Sequence, residues 1–146
     1  MCLFAACSTI PKTPARLYSL DNAKLIHVKL FYFGRGYGKA SATLPGGATL
    51  SGHYAVASGG QPPGRRAAVM ADLDTVARRG EFSRVYGYNR SIDSRPVGYA
   101  ILSDGAGLTL TMILYSVDTT REYGTGVARD NRGRWYRIHI GDLEKD

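Results

Sequence analysis

Cysteine is nearly absent from this chain, since Cys2 and Cys7 are its only two thiols and none follows Ser8. The domain beyond that point therefore has no disulfide, no CxxC metal site and no cysteine nucleophile. Long apolar runs are missing too, and no segment approaches the roughly 20 apolar residues of a membrane-spanning helix. Acidic residues are scarce, with 12 Asp and Glu against 19 Lys and Arg, which leaves a net charge of +7. Such an excess favours encounters with anionic partners without specifying which one.

The chain also lacks a recognisable catalytic constellation. Its histidines, His27, His53 and His139, lie on three separate segments without a second His or a Cys at metal-ligand spacing. Asp72 and Asp74 are two residues apart and so do not share a helix face. No GxSxG motif occurs, and no glycine-rich phosphate loop leads into a helix. The sequence predicts a protein that is not an enzyme and uses no cofactor or metal. Solvated strand histidines and a site assembled in three dimensions both stay open.

Glycine and tyrosine are abundant, with 18 and 10 residues, and this composition favours short strands and tight turns. The clearest segment is 34–54, GRGYGKASATLPGGATLSGHY, in which Pro45, Gly46 and Gly47 separate two strands of a β-hairpin. Minimal side chains recur on one face of three predicted strands, at Gly38/Ala40/Ala42, Gly98/Ala100 and Gly126/Ala128. Two interpretations fit these stripes: close packing with sharp sheet curvature, or a backbone-floored groove for a flat ligand.

Alternation of apolar and polar residues predicts the remaining strands. In segment 24–33, Ile26, Val28, Leu30 and Tyr32 share one face. The predicted strands are 17–20, 24–33, the two arms of a hairpin over 38–57, 82–89, 96–103, 108–117, 122–129 and 135–140, with turns at 91–95, 104–107, 118–121 and 130–133.

One short helix is predicted near 66–79, because Val69, Leu73 and Val76 recur at helical spacing and Gly80 can end the segment. We expect it to cover a barrel mouth or a sheet edge, or to form a mobile excursion. The fold class is all-β, an antiparallel meander barrel or sandwich of about eight to ten short strands. A single domain over 16–146 would follow a proline-bearing tether at 8–15.

The amino terminus reads MCLFAAC and leads into a polar segment with Pro11 and Pro14. Small residues before Cys7 resemble the end of a bacterial lipoprotein signal peptide, in which the cysteine becomes the lipidated first residue. Residues 1–7 are then the remnant of that peptide, and the true start lies upstream of Met1. The alternative is an apolar terminus with two incidental cysteines.

Three further motifs carry a family resemblance. The order G-x-G-x-x-x-x-x-L-P-x-G-x-x-L-x-G-x-Y at 36–54, the S-D-G turn at 103–105 and G-x-G-x-x-x-D-N-x-G-x-x-Y-x-I at 124–138 resemble a family of short bacterial lipoproteins of unknown function. The resemblance implies a palmitoylated, lipid-anchored protein held by Cys7. By lipoprotein sorting rules, Ser8 after the cysteine implies the outer membrane, facing the periplasm.

The last predicted hairpin is the best candidate binding surface, because an aromatic ring there lies among guanidinium groups. The candidate residues are Arg129, Arg132, Arg134, Trp135, Arg137 and His139. The alternative is a solvated basic surface without a binding function, with a half-buried tryptophan at a sheet edge. We therefore expect a non-enzymatic, lipid-anchored envelope protein with a basic face for an anionic surface or an envelope protein partner. A soluble nucleic-acid or polyanion-binding module, less favoured, and an inhibitor or accessory subunit of an envelope enzyme are the alternatives.

Overall fold

The computed structural model describes residues 10–22, 24–57, 61–79 and 96–142. Its eight strands are β1 (Lys12–Ser19), β2 (Leu25–Phe31), β3 (Tyr37–Thr43), β4 (Thr49–Val56), β5 (Pro96–Ser103), β6 (Thr109–Asp118), β7 (Tyr123–Asp130) and β8 (Trp135–Ile140). A 3₁₀ turn, Phe33–Arg35, follows β2, and helix α1, Pro63–Arg79, follows β4. The predicted strand 82–89, the turn 91–95 and Cys7 lie outside the described residues.

The strands form a closed antiparallel meander barrel in the order β1 to β8, with β8 pairing back onto β1. The all-β prediction is confirmed, and the barrel is the alternative that the chain adopts. Inward positions alternate along every strand and are filled by side chains, among them Leu17, Leu50, Leu102, Met112 and Ile138. The interior is thus a packed core for most of its length.

The first strand starts earlier than the sequence predicted. β1 begins at Lys12, inside the segment 8–15 that we expected to be a tether, and it is twice as long as the predicted strand 17–20. Thr13 and Ala15 face the barrel interior and are buried there, and β1 pairs with β2 over most of its length and with β8 from Ala15 onward. Proline content alone suggested a tether, but Pro14 takes an outward position on this strand.

The sequence predicted that Tyr32 would continue the inward face of β2, but it does not. Its backbone takes a left-handed conformation with φ of 59°, which ends the strand and starts the 3₁₀ turn. The buried aromatic residue is Phe33 instead, at 1% exposure, whereas Tyr32 is 40% exposed. The turn therefore places the ring of Phe33, and not that of Tyr32, in the core at this end of the barrel.

Helix α1 packs on the outside wall of the barrel. Val69, Leu73 and Ala77 on its buried face join a second apolar cluster with Tyr99 of β5 and residues of β6. The helix was expected at a mouth or a sheet edge, but a closed barrel has no edge, and the outward side chains of β5 and β6 supply the apolar surface that it covers. Asp72 accepts a hydrogen bond from the Tyr99 hydroxyl at 3.2 Å.

The glycine positions of the barrel wall mark close backbone approach. A Cβ at Gly52 would overlap the carbonyl of Ile101 on β5, and one at Gly126 would overlap the carbonyl of Ile113 on β6. Ala40, Ala42, Ala100 and Ala128, the other stripe residues, are buried in the core. Close packing between curved strands therefore accounts for these small residues.

Candidate functional site

Cationic side chains occupy outward positions on a run of five adjacent strands, β7, β8, β1, β2 and β3. We call this surface the basic belt, and it consists of Lys12, Arg16, Lys29, Lys39, Arg129 and Arg137. On those five strands, all of them within the described residues, the only carboxylate belongs to Asp130, which points inward. The belt is therefore a surface of one sign.

The centre of the belt lies on β1. Arg16 is directly opposite His27 of β2 on one side and His139 of β8 on the other. In the next row, Tyr18 is opposite Arg137. Directly opposed residues in antiparallel strands have Cα atoms about 5 Å apart, so these groups form one continuous patch.

The carboxylates in the described part of the chain are placed elsewhere. Asp72 and Asp74 are on α1, and the others lie in turns or at strand ends, where several accept backbone N–H groups. Asp118, for example, accepts from the N–H groups of Thr120 and Arg121 at 3.0 Å each. Local turn chemistry therefore explains where much of the negative charge of the described residues lies.

The predicted binding residues divide into two groups. Trp135, Arg137 and His139 share the outward face of β8, as expected, Arg129 stands beside them on β7, and all four belong to or border the belt. Arg132 and Arg134 lie in the turn between β7 and β8 and line a cavity at one end of the barrel. The sequence-based set thus combines two surfaces, one on the wall and one at a mouth.

Trp135 is half-buried and packs against the apolar cluster on the outer wall. The guanidinium carbon of Arg129, its partner across the hairpin, lies 5.3 Å from the centre of the indole. One face of the ring is therefore engaged by a cation of the same chain.

The distal mouth is the barrel end formed by the turns after β1, β3, β5 and β7, which share one end because consecutive strands alternate in direction. Asp130 is 6% exposed there. Its Oδ1 accepts from the N–H groups of Arg132 and Arg134, at 2.9 Å each, and its Oδ2 accepts from the Tyr136 hydroxyl at 3.1 Å. Burial, followed by the charge and hydrogen bond of Asp130, raises the pKa of Tyr136, while nearby Arg134 opposes that shift.

The opposite end, where β1 begins, is the tether end. A shallow groove of about 600 Å³ lies beside it and is lined by Ile10, Tyr32, Arg35 and Tyr37, among others. The Arg35 guanidinium lies 4.6 Å from the ring centre of Tyr32 and 4.4 Å from that of Tyr37, and Arg65 of α1 lies 3.6 Å from the latter. Cations and aromatic rings are therefore interleaved next to the belt.

Sequence reasoning missed Arg16, Lys29 and Lys39 as members of one surface. Each stands at an outward position in the period-two pattern of its strand, so that pattern was a usable signal. Consecutive antiparallel pairing brings these three side chains together, whereas their continuity with Arg137 depends on barrel closure, which brings β8 beside β1 and which no local pattern encodes. His27, His53 and His139 all face outward, as predicted, and His53 is on β4, away from the other two.

Within the described ranges, no three His, Cys, Asp or Glu side chains come together as metal ligands would. No helix in that part of the chain has both the length and the apolar character to cross a membrane. Comparison of the chain with protein-family models, with curated proteins and with solved structures found no match.

Proposed function

We propose that this chain is a non-enzymatic, lipid-anchored protein of the bacterial envelope whose basic belt lies against anionic phospholipid headgroups. Cys7 carries the anchor, and the outer membrane, facing the periplasm, is the location. The observation that supports the proposal is the sign of the belt: six cationic side chains on five adjacent strands, where the one carboxylate points inward.

The position of the anchor suits this surface. Lys12, the first belt residue, is five positions after Cys7, and an extended chain of five residues spans at most about 17 Å. A bilayer that holds the lipidated cysteine is thus within reach of β1, which is the central strand of the belt. The anchor raises the local concentration of headgroups, and the belt then sets the orientation of the barrel.

The expected energies are divided between anchor and belt. One acyl chain gives only marginal membrane binding, so stable attachment takes two or more chains or a chain plus basic residues. A Lys or Arg at an anionic surface contributes about 1 kcal/mol, which falls off within the screening length of the salt. The belt is therefore strong enough to orient the domain and too weak to retain it alone at high salt.

Exposed apolar and aromatic groups favour a lipid surface over nucleic acid as the partner of the belt. Ile10 is 48% exposed and Tyr32 is 40% exposed, both at the tether end, and Tyr18 in the middle of the belt is 36% exposed. Tyrosine side chains are enriched at the headgroup level of a bilayer. An exposed isoleucine lowers its free energy there because its apolar surface leaves water.

A polyanion-binding module is the second candidate function, and the Arg129–Trp135 pair is the feature that favours it. Bases or sugars stack on aromatic rings among cations. Arg129 already lies over the half-buried indole, which also packs against the outer apolar cluster, so part of the ring is taken. The third candidate function is an inhibitor or accessory subunit that binds an envelope enzyme through the same belt.

Two measurements test the proposal. Mass spectrometry of protein extracted from its native membrane should show an acylated Cys7, and a free thiol there would contradict the anchor.

The belt is tested by measuring the affinity of the soluble domain for vesicles that contain anionic lipid. The double variant Arg16→Gln/Arg137→Gln should bind about 30-fold more weakly than the unchanged domain, at about 1 kcal/mol per charge.

The matched control is Arg66→Gln/Arg132→Gln, which removes the same charge from α1 and from the turn after β7 at the distal mouth. It should bind vesicles nearly as well as the unchanged domain. Equal losses in the two variants would mean that net charge alone drives binding, and the belt would lose its role. Tighter binding to single-stranded nucleic acid than to vesicles at the same salt concentration would favour the polyanion candidate instead.

A further inference from the structure

A cavity of about 190 Å³ opens at the distal mouth, away from the belt and from the tether end. Its inner lining is apolar and comes from the ends of three strands, with Ile26, Leu50 and Leu110, each at most 4% exposed, as the floor. Leu108 stands at its rim and is half-buried. The packed core therefore stops short of this end and leaves a hydrophobic recess.

The rim of the same cavity is cationic. Lys24, Arg132 and Arg134 line it, and all three are exposed. Two carboxylates are near, but each already accepts backbone N–H groups. Asp130 accepts from two of them and from Tyr136, and Asp104 accepts from the N–H groups of Ala106 and Leu108.

Asp130 also determines where the two arginines stand. Its Oδ1 binds the backbone N–H groups of both Arg132 and Arg134, so the turn is held in one shape and both side chains start from defined positions at the rim. Asp130 itself lines the cavity and keeps its negative charge, but the three cations of the rim outnumber the two carboxylates Asp104 and Asp130. The rim therefore has a net positive charge that favours an anionic ligand.

We propose that the distal mouth binds a small amphipathic carboxylate. The carboxylate group would lie between Arg132, Arg134 and Lys24, and the apolar body would enter the recess floored by Ile26, Leu50 and Leu110. A cavity of about 150 Å³ holds benzene, so this recess admits a body of about that size. The ligand class is an aryl or short branched carboxylic acid of about ten heavy atoms. This site is separate from the membrane belt and goes beyond the proposed function.

The barrel topology keeps the two sites apart. The distal mouth lies at the opposite end of β1 from the tether, since β1 runs from Lys12 at the tether end to Ser19 at the mouth. In the anchored orientation, the recess therefore opens away from the point of attachment. A ligand would be taken from the aqueous phase.

The test uses phenylacetate and its uncharged isostere phenylacetamide, titrated into the folded domain while backbone amide chemical shifts are recorded. Phenylacetate should give saturable shifts at the turns of the distal mouth, and phenylacetamide should bind at least tenfold more weakly. Inorganic phosphate, which has charge without an apolar body, should also bind at least tenfold more weakly. Binding of phenylacetamide or of phosphate as tight as that of phenylacetate would overturn the proposal, as would the absence of saturation at about 10 mM phenylacetate.

Two variants locate the ligand. Arg132→Gln/Arg134→Gln should weaken phenylacetate binding at least tenfold, and Leu108→Trp should abolish it by filling the recess while the charge is kept. The belt variant Arg16→Gln/Arg137→Gln serves as the matched control and should bind phenylacetate like the unchanged domain. If the belt variant loses binding as well, or if Leu108→Trp retains it, the ligand does not occupy this cavity.

Discussion

The hydroxyl of Tyr54 donates to the backbone carbonyl of Phe31 at 2.6 Å. The two residues belong to β4 and β2, which are separated by β3, and Gly38 of β3 lies directly opposite Tyr54. A Cβ at Gly38 would overlap the carbonyl of Phe31 and lie 3.4 Å from the ring carbon Cε1 of Tyr54. The missing side chain is therefore what lets the tyrosine reach across one strand to the next.

Tyr54→Phe should lower the free energy of unfolding by about 1–2 kcal/mol, because it removes the hydroxyl from a buried residue and keeps the ring. Chemical denaturation with urea measures the change. Tyr18→Phe, at an exposed position, is the control and should change stability by less than about 0.5 kcal/mol. Similar values for both variants would show that the Tyr54 hydroxyl contributes nothing specific.

Gly52→Ala should destabilise the barrel by about 3 kcal/mol, since its new methyl group would meet the backbone of Ile101 and Leu102 and the two strands would have to separate. Gly34→Ala is the matched control, because no atom lies within 4 Å of the Cβ position there. Thermal and urea unfolding of both variants measure the difference. An unchanged midpoint for Gly52→Ala would mean that β4 and β5 do not approach as closely as described.

Leu73→Ala should cost about 2–4 kcal/mol, because Leu73 is 2% exposed and lies among Val69, Tyr99 and Ile113 between α1 and the barrel wall. Met70→Ala removes a residue of the same helix that is 40% exposed and should cost less than about 1 kcal/mol. Hydrogen exchange of the α1 amides reports whether the helix detaches before the barrel unfolds. Equal effects of the two variants would argue against a packed helix.

Alkaline pH should weaken the fold. Burial is the largest cause that raises the phenol pKa of Tyr54, Tyr99 and Tyr136 above the ordinary value of 10.0. An unfolded phenol would ionise near 10.0, whereas the folded one resists ionisation, so the stabilisation is complete below pH 10.0 and is lost as the pH rises through the folded value.

Unfolding free energies measured on either side of pH 10.0 should therefore fall with rising pH, and less steeply in Tyr136→Phe than in the unchanged protein. The comparison with the variant separates this tyrosine from lysines that titrate in the same range. Identical slopes in the two proteins would contradict the assigned environment of Tyr136.

Local pattern was sufficient for much of this fold. The alternation in β2 to β8 predicted every strand that the structure describes there to within a few residues, and glycine, proline and aspartate marked the turns. The early start of β1 was not predictable in this way, because Pro14 and Ala15 are disfavoured in strands and one Thr13 is too short a signal, whereas pairing with β2, and with β8 from Ala15 onward, holds the segment in the sheet.

The sequence did contain a signal for the apolar cluster under α1, although a search for simple alternation overlooks it. Residues 112–115 of β6 are four consecutive apolar or aromatic residues, and all four are buried. A strand that is buried on both faces has such a continuous apolar run, and another element must cover its outer face. The distal cavity had no comparable signal, because it results from how far the side chains of separate strands reach into the mouth.

The pairing of Ala15 with Ile140 joins the first strand to the last. A chain that emerges amino terminus first cannot complete this ladder until its final strand is free, so β1 and β7 keep unpaired edges until then. Contacts between residues so far apart in sequence also make folding slow. Closure of the barrel is therefore a late step of folding, and the pairing of β8 with both of its neighbours completes it.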